Sequence, residues 1–462
     1  MVIPMAGPSA PANSPPGGRA NVVRTELAEL LQLSWPVVLS RLGIMGMGLS
    51  DAIVVGRYSA TELGYHAMAW APTSVIVTMT VGLLSGIQVM TSRANGQGRP
   101  EITGAVLRRG LSYSLWIGLV STLVLIAGGP AFLHVLGLEK DLADGASKPL
   151  IIFALSMPGY AFSVAASFWL EGQGRPKPAA VMMWLANGVN LALDLLLVPG
   201  TFGLQPLGAV GGAWATTGAR TFLAIVLLIY IARMPDSRAL GVFTKPEPDL
   251  AAETEQRRIG YGAGASNFFE VAAFAGMNVI AGWIGGLAVA AWAITLNVVA
   301  IIFMVPLGLS TGAAVLVGRA YGARDTAAVN RAGAIAFGVT AVFGLLISLI
   351  VWPGARLIAG AYTHDPLTLA MAAPAVALSC LFLIPDAVQV VAAQALRARG
   401  EVWIPTFTHL ASYALVMAPL AWWLAIPMGM GLNGIVWAVV AASFLSAALL
   451  LARFRWLSRQ GR

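Results

Sequence analysis

The chain has 462 residues, 58% of them hydrophobic and only 10% charged, with a net charge of +8. A mean hydropathy of +0.78 excludes a soluble globular domain of this length. The pI of about 9.9 does not signal nucleic acid, because the positive charge sits in short connections between long apolar runs, as membrane topology requires.

The first two dozen residues, rich in Pro, Ser and Gly, contain no apolar core of signal-peptide type and predict a disordered cytoplasmic leader over 1–25. Twelve apolar stretches follow, at roughly 29–53, 65–92, 107–130, 148–171, 177–199, 207–232, 259–284, 288–316, 331–354, 366–396, 404–427 and 431–454. The fold class is therefore an all-α polytopic membrane protein with twelve transmembrane helices. Four basic residues (Arg57, Lys140, Lys148, Arg356) fall in connections after odd-numbered spans, and Arg41 and Arg220 lie inside spans. Every other Lys and Arg lies in a terminus or after an even-numbered span, which places both termini in the cytoplasm and the chain in the cell inner (plasma) membrane. The only cysteine, Cys380, lies in an apolar span and has no partner for an intrachain disulfide.

Sliding the sequence against itself by 226 residues aligns GLLSGIQVMTSRANG (82–96) with GLSTGAAVLVGRAYG (308–322), and the pairs Gly82/Gly308, Gly86/Gly312, Arg93/Arg319 and Gly96/Gly322 coincide. The same offset pairs Leu170 with Leu396 and Gly174 with Gly400. So regular a coincidence signals duplication. Six spans per copy is an even number, so the copies share one orientation and are related by a pseudo-two-fold axis along the membrane normal. The predicted organisation is an N-lobe over 26–232, a cytoplasmic linker over 233–257, a C-lobe over 258–455 and a tail over 456–462. The acids do not repeat: at this offset Asp51 faces Met277, Asp386 faces Tyr160 and Glu270 faces Ile44.

Four acids fall well inside spans, and an ionised carboxylate in hydrocarbon costs several kcal/mol, so each requires protein, water, a proton or a cation beside it. In the first lobe Asn190 and Asp194 share a helix face, and Asp51 and Thr216 are placed to complete an oxygen-rich group. In the second, Glu270 follows Phe268 and Phe269, and Asp386 shares a face with Phe382, Gln389 and Ala393. Carboxylate, amide and hydroxyl oxygens suit a hard cation, so Na+ at these acids, or a proton, is the expected guest. The alternative is structural pairing with Arg41 or Arg220. The dispersed histidines (His66, His134, His364, His409) read as structural or interfacial. Met45, Met47, Met182, Met183 and Trp184 line either an adaptable apolar cavity or lipid and neighbouring helices. Pro36 marks a hinge or a tolerated kink in the first span. No GxxxxGK[ST], HExxH or GxSxG motif occurs, so ATP does not drive the chain directly and hydrolytic chemistry is not indicated.

Over about residues 25–460 the chain resembles the multidrug and toxic compound extrusion (MATE) family, in its bacterial sodium- or proton-coupled branch. The likeness rests on SWPVVLSRLGIMGMGLSDAIVVGR, SRANGQGRP, NFFEVAAFA, VGRAYGARD and PDAVQVVAAQALRARG. The resemblance implies two six-helix lobes opening alternately to either side. It matches Glu270 and Asp386 to the family's second-lobe coupling carboxylates, and Asp51, Asn190, Asp194 and Thr216 to its first-lobe cluster. Relatives often have Tyr where Phe382 stands, Gln or His at Arg93 and Arg319, and His at Trp292.

These readings together predict an antiporter that expels organic, cationic and amphipathic compounds in exchange for inward H+ or Na+. It would need no cofactor, nucleic acid or obligate protein partner, only the bilayer and its drug-like substrates. A flippase for lipid-linked precursors is the related alternative, disfavoured by four intramembrane acids against two arginines. An intramembrane enzyme would need a nucleophile with a base, or a metal centre, which the sequence lacks.

Overall fold

A computed structural model describes residues 16–135, 139–245 and 248–460, and no strand occurs among them. The reason is the solvent: lipid offers the backbone no hydrogen bonds, so each apolar stretch must satisfy its own as a helix. The N-lobe helices are α1 (Pro16–Tyr58), α2 (Ala60–Leu84), α3 (Gly86–Gly96), α4 (Thr103–Val135), α5 (Lys140–Leu155), α6 (Met157–Gly172), α7 (Lys177–Leu197) and α8 (Ala209–Arg233). The C-lobe contributes α9 (Leu250–Ile284), α10 (Gly286–Gly322), α11 (Thr326–Gly360) and α12 (Pro366–Ala398), then α13 (Trp403–His409), α14 (Ala418–Ala425) and α15 (Gly431–Gln460). A π-helical stretch, Leu410–Met417, joins α13 to α14.

With α2–α3 and α13–α14 each taken as one span, eleven helices are long and apolar enough to cross a membrane; α5 and α6, bent by 42° at their junction, make the twelfth. That bend has a local cause. Pro158 has no N–H to offer the Ala154 carbonyl, which instead accepts a hydrogen bond from Thr122 Oγ1 at 2.8 Å. The Ser156 hydroxyl caps Phe153 O at 2.6 Å and accepts from Arg220 Nη1 at 2.8 Å.

Two sequence expectations are corrected. The leader is not disordered up to residue 25: residues 1–15 lie outside the described residues, but α1 begins at Pro16, and its Glu26 and Glu29 pair with Arg331 and Arg319 of the second lobe. The linker is shorter than 233–257, because α9 starts at Leu250, where Asp249 Oδ1 accepts from the Ala252 N–H and caps the helix. The tail is helical through Gln460. At Pro36, α1 continues as helix on both sides.

The duplicated stretch forms the seam between the lobes. A Cβ on Gly82 would lie 2.5 Å from Gly264 Cα of α9, and one on Gly86 would overlap the Gln256 carbonyl. In the second copy, one on Gly308 would overlap Val38 of α1, and one on Gly312 would lie 2.5 Å from Ser34 Oγ. At the seam's end, Gly96 and Gly322 abut the carbonyls of Arg319 and Arg93. Small residues here let helix backbones touch, the main source of helix association in lipid.

The two arginines are exchanged across that seam. Arg93 donates from Nε and Nη2 to the Ala398 and Arg397 carbonyls ending α12, both at 3.0 Å, while Arg319 Nη2 donates to Gln173 O at the end of α6, at 3.3 Å. Each therefore satisfies helix-terminal acceptors of the opposite lobe. Their acid partners also repeat at an offset of 226: Arg93 pairs with Glu255 at 3.4 Å and Arg319 with Glu29 at 2.6 Å.

Candidate functional site

Two polar groups lie inside the spans, one per lobe. In the first, α1 brings Asp51, α7 brings Asn190 and Asp194 one turn apart, and α8 brings Thr216; all four are buried. Asn190 Nδ2 donates to Asp51 Oδ1 at 2.5 Å and to Asp194 Oδ2 at 2.8 Å, so one amide ties two carboxylates together. Thr216 Oγ1 donates to Asp51 Oδ2 at 2.5 Å. Asn190 Oδ1 and Asp194 Oδ1 are buried with no hydrogen-bond partner. Two carboxylates and two unsatisfied oxygens in low dielectric form a site that favours a proton or a small hard cation.

Asp51 and Thr216 face a cavity of about 260 Å³ that Arg41, His66, Glu171 and Arg220 also line. Neither arginine pairs with an acid within 4 Å among the described residues. Instead Arg41 lies over Phe168 at 5.6 Å, and Arg220 over Tyr160 at 4.8 Å and Trp70 at 5.3 Å. The structural ion pairs weighed as an alternative are thus not formed. Met47 and Met183 line this cavity, Met45 and Met182 do not, and Trp184 is exposed at the protein surface.

In the second lobe Asp386 Oδ1 is ringed by Gln389 Nε2 at 3.4 Å, Tyr413 Oη at 3.4 Å and Ser443 Oγ at 3.5 Å. Gln389 donates to Tyr413 Oη at 2.9 Å and accepts from Ser446 at 3.3 Å. Glu270 is half-buried on α9, makes no hydrogen bond or ion pair among the described residues, and stands within electrostatic reach of Asp386 and Arg397. Arg397 is buried with Nε and Nη2 unpartnered, and His409 is buried with both ring nitrogens unpartnered.

Sequence reasoning missed Tyr413, Ser443 and Ser446. The hydroxyl absent at Phe382, which is buried in packing, reaches Asp386 instead from Tyr413, and Tyr413 lies in the π-helical stretch, a departure common at functional positions. Trp292, where relatives often carry His, is fully buried and its indole N–H has no partner. No group of three His, Cys, Asp or Glu suited to a metal occurs among the described residues.

Twelve spans in two pseudo-symmetric lobes, with ionisable oxygens held away from lipid in each, are the architecture of a multi-pass membrane transporter. The MatE family profile matches residues 36–196 and 263–423, once per lobe. The chain belongs to this family, the MATE transporters. It is 64% identical over 440 residues to "Probable multidrug resistance protein NorM" of Caulobacter vibrioides, spanning 95% of this chain and 93% of that one. It is 31% identical over 441 residues to "Multidrug resistance protein PmpM" of Pseudomonas aeruginosa, spanning 92% and 88%. Among solved structures, a MATE protein crystallised in a bent conformation superposes with a TM-score of 0.87 at 18% identity, covering 96% of this chain and 97% of that one. A MOP-superfamily transporter from Pyrococcus furiosus superposes with a TM-score of 0.85, also at 18%, covering 94% and 96%. At these identities the superpositions carry the fold alone.

Proposed function

We propose that this chain is a multidrug efflux antiporter that moves organic, cationic and amphipathic compounds out of the cell in exchange for inward H+ or Na+. The observation that carries the reading is the first-lobe group: Asp51 and Asp194 joined through Asn190, buried, free of arginine pairing and bordering a cavity. Two buried carboxylates tied by one amide, with unpartnered oxygens beside them, offer a single small cation or proton a place to load and leave. Glu270 and Asp386 form the second loading position. The names of the relatives support drug-like cargo.

Alternation follows from the seam. Its contacts join the lobes on the face that carries the connections after even-numbered spans, which the charge bias assigns to the cytoplasm along with both termini in the inner membrane. Opening that face requires parting Arg93 and Arg319 from their acceptors, and loading of the lobes biases that step. Pro36, close to the α1–α10 contact at Ser34 and Val38, is placed to act as a hinge.

A lipid-linked precursor flippase is the second reading, favoured by one observation: the guanidinium groups of Arg41 and Arg220 share the first-lobe cavity with the acids. Purified protein in liposomes under an imposed pH or sodium gradient, with a fluorescent organic cation, separates the readings. Gradient-driven export that falls in Asp386→Asn and Glu270→Gln supports antiport, whereas undiminished export removes both acids from the mechanism.

A further inference from the structure

Beside the seam, on the face with the even-numbered connections, lies a cleft of about 950 Å³ walled by both lobes and the linker. Arg93, Arg99 and Arg109 line it from the first lobe, Arg324 and Arg399 from the second, and Lys245 from the linker; Glu101 and Asp249 are the only acids lining it among the described residues. Those acids are already engaged: Glu101 lies 3.6 Å from Arg99, and Asp249 caps α9. Arg93 is likewise paired with Glu255, but among the described residues Arg109, Arg324, Arg399 and Lys245 form no ion pair, so the described lining carries excess positive charge.

Two features go beyond the basic character of this face. Arg109 Nε is buried against the cleft with no hydrogen-bond partner, a donor left open at its floor. Arg324 has a φ of 57°, in the left-handed region. Its counterpart at an offset of 226 is Gly98, with a φ of 70°, and the other repeat-matched pair in this conformation is Gly174 and Gly400. Three of four equivalent turns use glycine, which accepts left-handed backbone without strain; the fourth holds an arginine that lines the cleft. A residue kept against local preference points to use.

We infer that this cleft is a binding site for a phosphate-bearing anion, held by Arg109 and Arg324. Guanidinium groups match phosphate oxygens in bidentate geometry, and excess positive charge in so large a cleft suits a multiply charged ligand rather than a single carboxylate. The same chemistry comes from two sources, an anionic phospholipid headgroup at the membrane surface or soluble phosphate. Since the walls belong to both lobes, the bound anion ties them together on the face the seam closes. The site is independent of the transport cations and of the proposed cargo.

The test is thermal unfolding of the purified full-length chain at constant ionic strength, with phosphatidylglycerol, phosphatidylcholine, sodium phosphate or sodium chloride added. Phosphatidylglycerol or phosphate should raise the Tm beyond phosphatidylcholine and chloride. Arg324→Gly, which adopts the turn of the first repeat, should keep or raise the basal Tm while weakening the anion's apparent affinity at least about tenfold, as should Arg109→Gln. Arg455→Gln, exposed outside the cleft, should respond as the parent does. A response to phosphatidylglycerol alone assigns the lipid headgroup, and a response to phosphate alone assigns the soluble anion. No anion-specific shift in the parent, or shifts in Arg324→Gly and Arg109→Gln as large as the parent's, overturns the site.

Discussion

Substituting Gly82 with alanine tests whether the seam sets the conformational balance. The new Cβ would lie 2.5 Å from Gly264 Cα, 2.6 Å from its nitrogen and 2.8 Å from Ala263 C, where ordinary contact begins at 3.4 Å. All three are backbone atoms, so no side chain can rotate away, and α2 and α9 must part by about 0.9 Å. Overpacking of this kind costs about 1–3 kcal/mol, and the cost falls on the state in which the lobes touch. The population of that state relative to the open one should drop roughly 5- to 150-fold. Spin labels at Gln97 and Ala323, exposed and matched at an offset of 226, report the separation of the lobes on this face in a Cys380→Ser background. Gly82→Ala should lengthen the distance distribution and slow export. An unchanged distribution together with unchanged export would refute the idea that this backbone contact governs closure.

Asp51→Asn sets an amide against two groups that donate to it, Asn190 and Thr216, and should reduce ion-driven export at least about tenfold in protein that still reaches the membrane; normal ion-dependent flux would leave Asp51 a structural role. Tyr413→Phe removes the 2.9 Å acceptor of Gln389 and a donor to Asp386, so stability should fall by about 1–2 kcal/mol and the ion concentration needed for half-maximal export should rise, both measurable on reconstituted protein. Outside the membrane, Arg175 Nη2 lies 2.6 Å from Asp236 Oδ2, and this hydrogen bond holds the carboxyl below its ordinary value of 3.8. A depressed folded-state pKa gives stability that is present above the unfolded value and lost as pH falls through the folded one. Arg175→Gln should therefore cost less than about 1 kcal/mol at neutral pH, the pair being partly exposed, and the gap to the parent in unfolding curves should close below pH 3.8.

The twelve spans and the duplication were legible because lipid enforces both: a run of about twenty apolar residues must be a helix, and GLLSGIQVMTSRANG must keep its glycines to bring backbones together. The joining of Asp51, Asn190, Asp194 and Thr216 was legible from intramembrane acids and a four-residue spacing. Tyr413 was not, since a tyrosine in an apolar helix is usually packing or interface, and only the fold shows its hydroxyl, from the π-helical stretch, reaching Asp386. Arg93 and Arg319 read as departures from the family pattern, because their acceptors are backbone carbonyls some 300 and 150 residues away in sequence, and carbonyls leave no trace there. The early start of α1 was hidden by Pro and Gly at its opening, residues that argue against helix until Glu26 and Glu29 find Arg331 and Arg319 on the other lobe.

The crossed arginines also bear on how such a chain can diversify. Each half supplies the other with an arginine and its acid partner at matched positions, whereas the ionisable interiors of the two halves differ. Fusion of the copies into one polypeptide thus allows a mechanically even-handed machine to become chemically lopsided, an outcome closed to a homodimer of identical halves.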